Sequence, residues 1–143
     1  MRPKYVEEPL FSWLLLIGRL SLSMVYLVSG LHKGIYFEKA VIEFQSARIP
    51  FPQLTVILTV VLHIIAALCM TTGVFVQESA LALALFTLIA TWRVHDFWNL
   101  QGSDRLLQSR FALAHLAVIG GLLLLAATGP GSLVLITQES LFG

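Results

Sequence analysis

The chain has 143 residues, of which 57% are hydrophobic and 12% charged, with a net charge of +1 and a mean hydropathy of +0.86. A soluble domain carries roughly 25% charged residues, and a body this small exposes too much surface to be covered by half that. Disorder requires low hydrophobicity, nucleic-acid binding a basic excess and a secreted disulfide scaffold more than one Cys, which leaves an integral membrane protein.

A helix crossing ~30 Å of hydrocarbon needs roughly 20 mostly apolar residues. Four such segments follow one another along the chain, which predicts an all-α, integral membrane four-helix bundle built as one domain over 1–143. The first span runs over about 10–29 and contains one charge, Arg19. Its apolar run is longer than a signal core and no small-x-small site follows, so it is expected to remain as a span. Residues 30–49 mix Ile35, Phe37, Ala40, Val41 and Phe44 with Lys33, Glu38, Lys39, Glu43 and Arg48. That pattern predicts a short amphipathic segment between spans 1 and 2, lying in the interface or folded back on the bundle. Ile49-Pro50-Phe51-Pro52 breaks the chain before the second span, 53–76.

The third span is short: Glu78 and Arg93 enclose only ~21 Å of helix. To cross, it is expected to continue through Arg93, His95 and Asp96 to Trp98, giving 79–98. These polar residues either snorkel at the headgroups, with Trp92 and Trp98 as an aromatic belt, or face the bundle interior as a site. The fourth span, 111–128, is stopped by Gly129-Pro130-Gly131. Loops 30–52 and 93–110 share one face, and their Lys and Arg residues place that face in the cytoplasm and both termini outside.

Arg19 is the costliest residue, ~15 Å from both ends of its span, and is expected to point into the bundle. His63 lies equally deep in the second span, so the two are expected to face each other. His115, ~7 Å deep, and His95 with Asp96 lie toward the loop face. A polar half-bundle backed by an apolar half suits an amphiphile such as a quinone. On the bland reading, the same residues satisfy backbone carbonyls and fix helix register. Haem is disfavoured because His63 and His115 differ by ~7 Å in depth, and no ligand spacing supports a metal. No covalently bound cofactor is expected. Cys69 reads as a small core residue. Gly120-Gly121 is expected to admit a close helix, and Ser21, Ser23, Ser29, Thr55 and Thr59 to bond between helices.

Gly18-Arg19, Ser29-Gly30-Leu31-His32-Lys33, Ile49-Pro50 with Pro52, Gly73, His95 with Phe97-Trp98, Gly120-Gly121 and Gly129-Pro130-Gly131 together resemble the DoxX-like family of four-span bacterial and archaeal membrane proteins. The resemblance covers about 19–131. Its founding example is a membrane subunit of a thiosulfate:quinone oxidoreductase, and other members look like partners of redox or detoxification enzymes. It implies a cytoplasmic-membrane location and assigns Arg19, Lys33, His95 and Trp98 to the functional face. The chain departs from the family in carrying His63 and Ala66-Ala67 where members commonly have an acidic residue and paired glycines, and His115 where Asn is frequent.

The expected function is therefore that of a small membrane subunit of a redox complex, binding or channelling a quinone or anchoring a quinone-reducing partner. The alternative is a non-catalytic scaffold subunit packed against a larger membrane complex. Either way its partners are lipid and other protein subunits, with no nucleic acid. With so little chain outside the membrane it is at most part of an oxidoreductase, and not a complete enzyme alone.

Overall fold

The computed structural model describes residues 9–94 and 98–136. They form five helices, α1 (Pro9–Ile35), α2 (Phe37–Ser46), α3 (Pro52–Thr72), α4 (Val76–Val94) and α5 (Gly102–Thr128). No strand occurs among the described residues. The fold is all-α, and α1, α3 and α5 are long and apolar enough to cross a membrane by length and composition. Gln77, Glu78 and Arg93 lie within α4, which is not one of those three.

α1 packs chiefly on α3, and α4 on α5, with α3 and α4 joining the two pairs. The core between them holds Tyr26, Ala66, Met70, Leu83 and Leu122. Leucines, isoleucines and valines on the outer sides of all four long helices are exposed, which suits contact with acyl chains in a membrane protein. One end of the bundle, here the loop face, carries α2, the Ala47–Phe51 connection and residues 98–101 before α5. The opposite turn face carries the Gly73–Phe75 turn and residues 129–136 after α5.

α2 folds back on the bundle. Its buried face of Ala40, Val41 and Phe44 packs on Val56 of α3, with Ile49 and Val60 beside it. Left-handed Arg48 (φ 54°) and Phe51 (φ 49°) reverse the chain between α2 and α3.

Helix limits differ from the sequence-based spans at their ends. α3 stops at Thr72 because Gly73 adopts φ 98° and its N–H closes on the Cys69 carbonyl, a glycine-terminated helix end. α4 starts earlier than the sequence-based span, at Val76, and ends at Val94 rather than running on to Trp98, which lies in a turn. α5 begins nine residues before the apolar run, and Gly129 (φ 76°) terminates it.

Two expectations about small and polar residues are corrected. A Cβ at Gly120 would meet nothing within 4 Å, and at Gly121 only the Leu22 side chain at 3.5 Å. The helix pair that does approach closely is α1–α3, at Gly30. Ser21, Ser23, Thr55 and Thr59 donate to carbonyls of their own helix or of the residues just before it, and Ser29 accepts from Lys33. In an apolar bundle the carbonyl one turn back is the nearest acceptor, and these hydroxyls take it.

Candidate functional site

Arg19 and His63 both point into the protein, but not at each other. A Cβ on Gly30 would sit 3.0 Å from His63 Cβ and 3.1 Å from Ile64 Cγ1. Gly30 and His63 therefore share one level of the α1–α3 pair, and Arg19 lies about 16 Å of helix away, toward the turn face. Gly30 sets this register, because any side chain there would force the helices apart. Gly30→Val is expected to destabilise the protein by about 1–3 kcal/mol, the usual cost of overpacking, read as a lowered melting temperature in detergent. An unchanged melting temperature would show that the contact is loose.

At its own level Arg19 is 1% exposed. Its Nη1 donates to the Pro130 carbonyl and its Nη2 to the Leu133 carbonyl, both at 2.7 Å, while Nε has no partner. The segment it holds is fixed along its length. The Ser12 and Ser132 hydroxyls share a hydrogen bond of 2.8 Å. The Leu135 and Ile136 N–H groups both donate to the Thr72 carbonyl, at 2.9 and 3.2 Å. Val134 lies so close to Gly73 that a Cβ there would fall 2.5 Å from Val134 Cγ1. Arg19 thus acts as a clamp on residues 130–133 at the turn face.

A separate cavity of about 550 Å³ occupies the loop-side half of the bundle, within the usual range of ~300–1,000 Å³ for small-molecule sites. Its wall is largely apolar. Lys33 and Arg93, near the loop-face ends of α1 and α4, line it with Glu43 of α2; Tyr26, His63, Phe86 and Thr87 line it deeper. Arg19 and Trp98 do not line it.

His63 is 3% exposed and sits between two aromatic rings, Tyr26 at 5.1 Å and Phe86 at 4.8 Å, both edge-on. Neither of its ring nitrogens has a hydrogen-bond partner. Such a buried, unsatisfied imidazole costs about 1–3 kcal/mol, so the site retains a polar group that the fold itself does not use. Tyr26, Thr87, Thr91, His115 and Lys33 nearby are engaged. Thr87 Oγ1 donates to the Leu83 carbonyl and so receives the Tyr26 hydroxyl proton. Thr91 Oγ1 donates to the Thr87 carbonyl at 2.6 Å, which leaves His115 Nδ1 as the donor in their 2.8 Å contact. Lys33 Nζ donates to Ser29 Oγ at 2.9 Å.

Of the residues singled out from sequence, His63, Lys33 and His115 line one cavity. Trp98 stacks obliquely on Trp92, with ring centroids 5.1 Å apart. His95 and Asp96 lie outside the described residues. No group of three His, Cys, Asp or Glu side chains that could hold a metal ion occurs among the described residues. Sequence reasoning missed Tyr26, Phe86 and Thr87. Tyr26 carried a signal, a hydroxyl within an apolar span; Phe86 and Thr87 carried none.

Comparison with known proteins bears on this arrangement. The DoxX family model matches residues 14–96, which hold Arg19, Tyr26, Gly30, Lys33, His63 and Phe86. Inner membrane protein YphA of Escherichia coli (strain K12) is 30% identical over 122 residues, covering 85% of this chain and 87% of that protein. No solved structure shows a significant match. With more than half of its length matched by the family model, and with three helices able to cross a bilayer, this integral membrane protein belongs to the DoxX family.

Proposed function

We propose that the protein is a membrane subunit of a redox assembly and that it binds a quinone in the loop-side cavity. One observation carries this reading: a buried histidine with two unpartnered ring nitrogens, at the deep end of a largely apolar cavity. A quinone carbonyl is an acceptor that an imidazole N–H satisfies, and the quinone ring suits the Tyr26 and Phe86 surfaces. A small turn of the His63 ring from between those two aromatics brings a nitrogen to the ligand. Lys33, nearer the loop face, is placed to face the second carbonyl. Reduction to the quinol takes two electrons and two protons. A partner protein supplies the electrons, and His95 and Asp96, next to Val94 in sequence, exchange protons at the loop face.

The same reading has α4 cross the membrane as a fourth span. Its 19 residues make about 28 Å of helix, and it packs between α3 and α5. Similarity to an inner membrane protein of Escherichia coli supports an inner, cytoplasmic-membrane location. Arg19, engaged with the Pro130 and Leu133 carbonyls, is not open to pairing with a partner helix, which counts against a scaffold held through that residue.

Purification in a gentle detergent followed by organic extraction tests the proposal. A quinone is expected at near-equal stoichiometry with the wild-type protein. A preparation free of quinone that elutes with one large protein partner would favour the accessory-subunit alternative.

A further inference from the structure

We infer that the cavity is loaded sideways from within the bilayer, through a gap between α1 and α5 in the loop-side half, and that its ligand is a long-tailed amphiphile whose tail stays in that gap. This rests on the cavity being an amphiphile site, as proposed above, and adds the route and the tail.

Contacts between α1 and the α5 side of the bundle are found toward the turn face. The Leu22 side chain lies against Gly121, and Leu15 against Gly131 just beyond α5. Toward the loop face the cavity takes its wall from Val25, Ser29 and Lys33 on one side and His115 and Val118 on the other. The backbones of α1 and α4 do not pack on each other; the two helices meet through the Tyr26–Thr87 side-chain bond, which closes the deep end of the cavity.

The exposure of the lining residues locates the opening. Val25 is 51% exposed, although it lines the cavity. Val25 lies about 15 Å of helix from the loop-face end of α1, at the depth of acyl chains and not of headgroups. An opening at that depth, rimmed by Val25 and Val118, meets lipid and not water. An apolar tail there loses nothing by remaining half in the bilayer, while the ring reaches the polar residues inside. α3 and α2 wall the cavity on the opposite side, through His63, Thr55 and Phe44.

The test closes the gap. Val25→Cys and Val118→Cys, in a Cys69→Ser background, are bridged in membranes with a bifunctional thiol reagent. Loading is followed with two photoreactive quinones, one bearing a long isoprenoid tail and one with no tail. The bridge is expected to slow labelling by the long-tailed quinone about tenfold or more, since access then requires the wall to open. The tail-less quinone, which reaches the cavity from the loop face, is expected to label as before. A Val25→Trp variant, which narrows the gap without cross-linking, is expected to show the same split. Equal labelling by the long-tailed quinone with and without the bridge overturns the lateral route, and so does equal slowing of both quinones. Absence of labelling by either quinone in the unbridged protein removes the quinone site itself.

Discussion

Replacing Arg19 by methionine is expected to destabilise the protein by about 2–4 kcal/mol and to free the segment after α5, while leaving the cavity intact. Each hydrogen bond from a charged donor is worth about 1.5–3 kcal/mol, and its loss leaves a buried carbonyl unpaired. Against this, the substitution removes a buried charge with an unpartnered Nε, so the net falls below the sum of two such bonds. Arg19→Lys is expected to recover only part of the loss, because one ammonium cannot reproduce the fork that holds Pro130 and Leu133 together. Thermal unfolding in detergent reads the stability, and maleimide labelling of a Ser132→Cys reporter reads release of the segment. Quinone content should be retained in whatever fraction stays folded, because Arg19 does not line the cavity. Loss of quinone with the reporter still protected would show that Arg19 belongs to the site and not to the clamp.

The opposite pattern is expected at His63. His63→Phe should abolish or weaken quinone retention by about tenfold or more, roughly the worth of one buried hydrogen bond. It should leave the melting temperature unchanged or raise it. Both ring nitrogens lack partners in the fold, so replacing the imidazole with a ring that keeps the edge contacts to Tyr26 and Phe86 removes an unsatisfied polar group. Functional groups that the fold does not need commonly trade stability for activity in this way. A fall in stability as large as that of Arg19→Met would mean that His63 is structural.

The contrast between these two residues shows where the sequence is informative. Depth along a helix can be counted, and counting places Arg19 and His63 far from the ends of their spans and facing inward. The register between helices cannot be counted. It depends on Gly30, whose missing side chain lets α1 meet α3 at His63 and so displaces Arg19 toward the turn face. The partners of Arg19 are carbonyls after the Gly129-Pro130-Gly131 break, and a backbone acceptor leaves no trace in composition or periodicity. The serines and threonines illustrate a related limit, since their residue type cannot distinguish a bond across helices from a bond to the preceding turn. The amphipathic α2 was legible because its buried stripe of Ala40, Val41 and Phe44 follows helical spacing. The start of α5 was not, because residues 102–110 are polar and offer no apolar run to read.

The central claim is that a quinone hydrogen-bonds to His63 in the loop-side cavity, and it is tested most directly by nitrogen NMR of the histidine rings. With ¹⁵N-labelled histidine, one imidazole signal, identified by its absence in His63→Phe, is expected to move saturably as a quinone is added. The matching alkane tail without the ring should leave it in place. A His63 signal that ignores the quinone, or moves equally with the tail alone, would contradict the account.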